Sequence, residues 1–235
     1  MSHKTYFNWS TGKDSALALF HLLRDSKYDV QQLLTSVNSE YDRISMHGLR
    51  RSLLEIQAKS IGIPLSTIEL PKEPTMEKYN SILSIKMTEL KYDGFTHTAF
   101  GDIFLEDLRN YREDNLKAIG IESVFPLWKR NTTDLMTEFL ELGFKTIVVC
   151  INEDVLDKSF VGRIIDQFFL DDLPANVDPC GENGEFHTFC FDGPIFSKPI
   201  DFEIGEIVYK TYPSPKKDSP KDKYGFWFCD LIPKI

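Results

Sequence analysis

The chain has 235 residues, 42% of them hydrophobic and 27% charged, a composition that suits one large globular domain or a main domain with a smaller partner. Its net charge of −9 excludes a duplex-wrapping protein, which needs a basic face to neutralise phosphates, but leaves room for a local basic pocket around one nucleotide. The four cysteines, Cys150, Cys180, Cys190 and Cys229, form no CxxC pair, so neither a zinc site nor a small disulfide scaffold is expected.

No apolar run is long enough to span a bilayer, and the opening "MSHKTYFNW" has no signal-peptide core. A cytoplasmic protein with reduced thiols and no membrane association is the expectation.

Strand-like and helix-like segments alternate through the first half. Lys4–Trp9 reads as a strand, and the helix that follows from Asp14 to Arg24 carries Ala16, Leu19, Phe20 and Leu23 at helical spacing. Val30–Asn38 is a second strand, Gly48–Gly62 a helix closed by glycine, and Pro64–Leu70 a third strand. A long helix at Thr75–Gly94 leads to a fourth strand, Phe95–Ile103, which ends in Gly-Asp. Helix Leu105–Gly120 and strand Ile121–Trp128 complete this half.

The alternation predicts an α/β fold: a Rossmann-like, five-stranded parallel sheet with helices on both faces over residues 1–127. In such sheets ligands bind at the carboxyl ends of the strands, where the strand order reverses. The loops after the first, second and fourth strands are therefore expected to meet on one edge.

The second half, 128–235, reads as a smaller α+β domain. It has helices at Thr132–Gly143 and Phe160–Leu173 around an apolar strand, Phe144–Asn152. A glycine-rich turn, "NVDPCGENGEFHTFCFDGP", then feeds a strand, and "TYPSPKKDSPKDK" reads as a mobile loop between two further strands.

The most informative loop is "WSTGKDS". Set between a first strand and a helix, it offers free amides and the positive end of a helix dipole to an anion. Gly12 allows close backbone approach, Lys13 adds a point charge, and Ser10, Thr11 and Ser15 add hydroxyls. It is neither a Walker A loop, since Asp14 separates Lys13 from Ser15, nor a G-x-G-x-x-G turn. The competing structural reading is an ordinary N-capped helix start.

"STGKDS" resembles the S-G-G-x-D-S signature of the PP-loop ATP pyrophosphatases, with Thr11 in place of the first glycine. "GDIFLEDLRNYREDN" with the later "PLW", and "CGENGEFHTF", are similar to marker segments of the diphthine–ammonia ligase family, the last in a form that resembles a bacterial-type branch. The resemblance covers nearly the whole chain. It implies an adenine nucleotide alpha hydrolase-like fold and an AMP-forming ligase. A carboxylate attacks the α-phosphate of ATP, pyrophosphate leaves, and ammonia displaces AMP to give an amide.

With that chemistry implied, each residue acquires a candidate role. Lys13 and the loop amides would neutralise the leaving group, with Mg²⁺ bridging phosphates and Asp14 as its ligand. Adenine would lie against Val37–Asn38, and His47 would approach the nucleotide from the second loop. Gly101-Asp102 closes the fourth strand beside the same crevice, where Asp102 would hold the metal or the incoming amine. Arg109 and Arg112 share a helix face, and Arg112 with Asn115 matches the family pattern better. Around the glycines of "CGENGEFHT" stand Glu182, Glu185, His187 and Thr188, and strand alternation from Glu185 would point Glu185 and His187 the same way to bind and deprotonate ammonia. Cys180 reads as a buried structural residue rather than a nucleophile. Phe125 and Trp128 read as core or hinge residues.

The expected partners are ATP, ammonia and a carboxylate, either diphthine on elongation factor 2 or an unidentified small molecule. No nucleic acid is expected, and a homodimer stays open because no feature specifies one. Two other readings compete. A sulfur-transfer enzyme adenylating RNA would want paired cysteines and a basic face, and a non-catalytic nucleotide-binding protein would leave "CGENGEFHT" without a use.

Overall fold

The computed structural model describes residues 1–44, 48–72, 74–213 and 223–234. Its first sheet holds five parallel strands in the order β4-β2-β1-β5-β6, where β1 is His3–Asn8, β2 Tyr28–Asn38, β4 Leu65–Leu70, β5 His97–Ala99 and β6 Glu122–Val124. A two-residue strand not expected from sequence, β3 (Arg43–Ile44), lies antiparallel against the end of β2. From β1 the chain winds outward to β2 and β4, then returns to β1's other side for β5 and β6. The strand order thus reverses at β1, and the crevice belongs beside its carboxyl end.

Helices cover both faces because each central strand is apolar on both sides. Phe7 and Leu33 face one core with Leu19 of α1 (Lys13–Leu22) and Leu53 and Leu54 of α2 (Arg51–Ile61). Their neighbours Tyr6 and Leu34 face the opposite core with Met87 and Leu90 of α3 (Met76–Tyr92) and Leu116 of α4 (Glu106–Lys117). Local signals set the helix ends: Thr75 accepts a hydrogen bond from the Lys78 amide at 3.2 Å, and Gly62 closes α2 at φ +81°.

The second sheet is antiparallel, in the order β8-β7-β10-β9: β7 is Lys145–Asn152, β8 Phe186–Asp192, β9 Phe202–Pro213 and β10 Lys223–Pro233. Helix α5 (Thr132–Glu141) starts where Asn131 caps the amides of Thr133 and Asp134. The larger core runs on without a break into this half, and Phe20 of α1 meets Phe144 edge to face.

The helix expected over Phe160–Leu173 is corrected to a 3-10 turn at Lys158–Phe160 and a short α6, Gln167–Asp172. Between them the chain is extended. β10 pairs with β7 only at Cys150–Asn152, which would strand the backbone groups of residues 146–148 on that side. The 162–165 segment takes them instead: Gly162 N donates to Val148 O, Val148 N to Arg163 O, and Ile165 N to Thr146 O. Gly162, at φ +82°, makes the turn this needs. The fourth strand is also shorter than expected, because Phe100–Ile103 leaves the sheet. Most of the "TYPSPKKDSPKDK" segment lies outside the described residues.

Candidate active site

The loop between β1 and α1 is held by its own hydroxyls and by the second half of the chain. Ser10 and Ser15 hydroxyls lie 2.6 Å apart, and Thr188 Oγ1 on β8 accepts from the Lys13 amide at 3.1 Å. A Cβ on Gly12 would stand 3.2 Å from the Thr188 carbonyl oxygen, and one on Gly101 would stand 3.0 Å from the backbone of Asp14 and Ser15. A side chain at either glycine would crowd backbone: at Gly12 where β8 docks on the loop, and at Gly101 where the β5 end passes the start of α1.

Thr11 sits at φ +75°, a region that costs a β-branched residue about 1–2 kcal/mol, and its buried hydroxyl has no partner among the described residues. This is the position where the PP-loop signature has glycine. Thr11→Gly is therefore expected to stabilise the fold by about 1 kcal/mol in urea titration. A loss of that size would show that the threonine side chain is needed.

Lys13 is 2% exposed. Its ammonium donates to both Asp14 carboxylate oxygens, at 3.0 and 2.8 Å, and to the Cys180 carbonyl, and it lies 5.3 Å from the Phe186 ring centre. Burial pulls its pKa down, but nearby acidic groups, Asp14 foremost, outweigh that and hold it above the ordinary lysine value. A permanently charged ammonium is thus clamped between the loop and the glycine-rich turn.

That turn is built by two carboxylates. Asp178 accepts from the Cys180 amide at 2.8 Å and from the Thr132 hydroxyl at 2.7 Å. Glu185, buried just before β8, accepts from the amides of Asn183 at 2.8 Å and Asp178 at 3.1 Å and from the Asn183 side chain. Of the pair expected to act together on ammonia, Glu185 and His187, the first lies just before β8, which starts at Phe186, and its oxygens turn back onto the loop's own donors. Glu182 takes the position nearer the crevice. It accepts from the Ile103 amide at 3.0 Å, and burial, reinforced by Asp14, raises its pKa to about 7.

Burial first, and the Lys13 charge second, lower the His187 pKa to about 4, so the imidazole is neutral at pH 7. NMR titration is expected to find it near that value, and near 6.5 only if this packing is absent. The unfolded chain would take up the proton first as pH falls below 6.5. The stability linked to His187 is therefore intact above pH 6.5 and falls by about 3 kcal/mol down to pH 4. Cys180 is buried, its thiol donates to the Thr132 carbonyl at 3.5 Å, and burial pushes its pKa up, as fits a structural residue.

On the other wall, Asp102 Oδ1 lies 3.3 Å from the Arg112 guanidinium, which stacks 4.2 Å over Phe100. Burial raises the Asp102 pKa against the pull of Arg112, and its buried Oδ2 has no partner among the described residues. Arg109 instead binds Glu113 and lies over the Phe125 and Trp128 rings, and Asn115 donates to the Tyr111 carbonyl on an exposed face. Val37 is fully buried, and its backbone is paired on both sides, with Ile44 of β3 and Glu69 of β4. Asn38 closes its own turn by accepting from the Glu40 and Tyr41 amides. His47 lies outside the described residues.

Residues 3–123 match the family described as the diphthamide synthase N-terminal domain, and residues 131–214 match the diphthamide synthase C-terminal domain. The chain belongs to the diphthamide synthase family. It is 32% identical over 110 residues to the diphthine–ammonia ligase of Bos taurus, a stretch covering 44% of this chain and 41% of that protein. To the Danio rerio diphthine–ammonia ligase it is 25% identical over 192 residues, 74% of each chain. The Schizosaccharomyces pombe relative aligns with 90% of this chain at 22% identity, but with only 39% of its own length. The chain thus spans about two-fifths of the bovine and yeast relatives it matches. A solved U34-tRNA thiolase from Methanococcus maripaludis overlays with a TM-score of 0.38 at 16% identity, over 60% of this chain and 58% of that one, a likeness too slight to carry an argument.

In this diphthamide synthase family chain the sequence reading missed Gln57. Fully buried on α2, it accepts from the Trp9 indole at 2.7 Å and donates to the carbonyls of Thr11 at 3.0 Å and Cys190 at 2.6 Å. One side chain thus ties β1, the phosphate loop and β8. The available signal was a glutamine within the apolar stripe Leu53, Leu54, Ala58. No group of three or more His, Cys, Asp or Glu side chains among the described residues is arranged to hold a metal ion. A Mg²⁺ ion that arrives with phosphates and keeps waters needs only one or two carboxylates. Asp14 and Asp102, with its unpartnered Oδ2, fit that requirement.

Proposed function

We propose that the chain is an ATP-dependent, AMP-forming ligase that adenylates a carboxylate and delivers it to ammonia. Residues 1–127 would carry the nucleotide and 128–235 complete the acceptor side. The observation that carries the reading is the Lys13 ammonium, buried and charged at the start of α1 and reached from both halves of the chain.

In this reading Lys13 exchanges the Cys180 carbonyl for phosphate oxygens and holds the charge of departing pyrophosphate, helped by the loop amides and the Ser10 and Ser15 hydroxyls. Asp14 and Asp102 would hold Mg²⁺, which supplies further charge neutralisation at the phosphates. Arg112 fixes Asp102 from behind. Glu182 and the neutral His187 are the groups suited to hold ammonia and take its proton, while Glu185 positions the turn. The acceptor is diphthine on elongation factor 2 or a small-molecule carboxylate.

The test is incubation with Mg²⁺-ATP, ammonium chloride and a panel of carboxylates that includes diphthine-bearing elongation factor 2. AMP and pyrophosphate in equal amounts, dependent on carboxylate, are expected. ADP and phosphate, or tight ATP binding with no product under any condition, would overturn the reading, the second outcome favouring a nucleotide-binding protein.

A further inference from the structure

Two arginines of α4 share one helix face, and the steps above use only Arg112. Arg109 has a carboxylate close by, Glu113 at 2.7 Å. Among the described residues the one ion pair of Arg112 is the longer contact to Asp102, at 3.3 Å. What seats Arg112 is a ring: its Cζ lies 4.2 Å from the centre of Phe100. Phe100 in turn stacks on Phe125, with ring centres 5.4 Å apart and planes 18° from parallel. Arg109 Cζ lies 4.8 Å from the centre of Phe125 and 4.6 Å from that of Trp128. The contacts therefore run unbroken from Arg112 through Phe100, Phe125 and Arg109 to Trp128. A guanidinium can rest its flat face on a ring while the donors at its rim stay free for an anion.

The backbone sets this row around Asp102. Phe100 N donates to Val124 O at 3.0 Å, which keeps the two stacked phenylalanines on adjacent strand ends. After Phe125 the chain turns: Trp128 N donates to Phe125 O at 3.2 Å, and Lys129 N donates to Ile103 O at 2.7 Å. Ile103 is thus tied to that turn through its carbonyl and to Glu182 through its amide. Asp102 stands between this fixed point and the Phe100 ring. The "PLW" segment gains a use here, since Leu127 is buried in the larger core as the anchor of the turn and Trp128 ends the row. Asp102 Oδ2 has no partner among the described residues, so the carboxylate takes its direction from what holds Oδ1, the Arg112 guanidinium.

We propose that Phe125 is a positioning residue: through Phe100 it fixes the plane of the Arg112 guanidinium, and through Arg112 the direction of the Asp102 carboxylate. The proposal rests on the ligase reading for the Mg²⁺ that Asp14 and Asp102 would hold beside ATP. Rings suit this task better than a second carboxylate would. Another carboxylate on Arg112 would compete with Asp102 for its donors and add negative charge beside the phosphates. A ring steadies the guanidinium without doing either.

The test uses the whole chain with Mn²⁺ as the metal probe and α,β-methylene-ATP, which cannot be cleaved between its α- and β-phosphates. Electron paramagnetic resonance reads Mn²⁺ affinity in the protein–nucleotide complex, and calorimetry without metal reads nucleotide affinity. Phe125→Leu should weaken Mn²⁺ about tenfold, in the range for residues that orient a metal ligand from behind. Phe125→Tyr keeps the ring face and should bind Mn²⁺ as the wild type does, because residue 125 is half-buried and a hydroxyl there can reach water. Metal-free nucleotide affinity should be unchanged in both. Thermal melting checks the fold, and if Phe125→Leu does not fold, Phe125→Met fills the space without a ring and should show the same loss. Unchanged Mn²⁺ affinity in a folded ringless variant, an equal loss in Phe125→Tyr, or a matching loss of metal-free nucleotide affinity would overturn the proposal, the last showing general distortion of the crevice. AMP formation from carboxylates by the wild type, with Mn²⁺ affinity unchanged in Phe125→Leu, removes the positioning role and leaves the ligase standing. Weakened Mn²⁺ in Phe125→Leu, without AMP formation from any carboxylate by the wild type, does the reverse.

Discussion

Lys13→Met is expected to lower carboxylate-dependent AMP formation by about 10²–10³-fold, with a smaller effect on the fold. Among the described residues the ammonium is the one buried cation at the loop, and its charge is held by Asp14 at 2.8 Å although Lys13 itself is shielded from water. Such a charge contributes most where negative charge develops in a low-dielectric site. Removing it leaves Asp14 without its partner, but the Asp14 side chain is 30% exposed and can hydrate, so the variant should still fold. Product analysis by ion-pair chromatography checks the rate, and thermal melting checks the fold. A variant that retained more than about a third of the activity would remove Lys13 from the chemistry.

Gln57→Leu is expected to destabilise the chain by about 3–5 kcal/mol, the largest stability effect among the polar residues discussed. The substitution keeps the volume but orphans the Trp9 indole N–H and the Cys190 carbonyl and removes one donor from the Thr11 carbonyl, all buried. Each orphaned group costs about 1–3 kcal/mol. Adding Trp9→Phe removes one of the orphans, so the double variant should recover part of the loss. Urea denaturation of the four proteins gives the coupling. A loss under about 1 kcal/mol for Gln57→Leu would mean that the β8–loop junction does not depend on this side chain.

The parallel sheet was legible because its strands are apolar on both faces and are separated by helices with clear ends, such as the Gly62 stop of α2. The extended 162–165 segment was not. Its apolar residues have helical spacing, but it is shaped by the need to satisfy β7 where β10 falls short, a tertiary demand with no local trace. The short β3 failed to register for the same reason, since two residues carry no period.

In the candidate site, the motifs named the residues but not the direction of their side chains. "CGENGEFHT" identified Glu182, Glu185 and His187 together. Only the fold distinguishes Glu185, whose oxygens hold the amides of Asp178 and Asn183, from Glu182, which reaches the Ile103 amide across the crevice. Thr11 is the opposite case. Its mismatch with the glycine of the signature was visible in sequence, and its positive φ gives that mismatch a physical meaning. Gln57 was passed over because a single glutamine in a helix is usually a surface residue.

The central claim, that a carboxylate is adenylated at the Lys13 side and aminated from the β8 side, is tested most directly by isotope transfer. A carboxylate substrate labelled with ¹⁸O in both oxygens is supplied with Mg²⁺-ATP and ammonium, and the AMP is examined by mass spectrometry. Attack of the carboxylate on the α-phosphate followed by loss of AMP to ammonia places one ¹⁸O in AMP and leaves one in the amide. Unlabelled AMP, or label recovered in inorganic phosphate beside ADP, would contradict it.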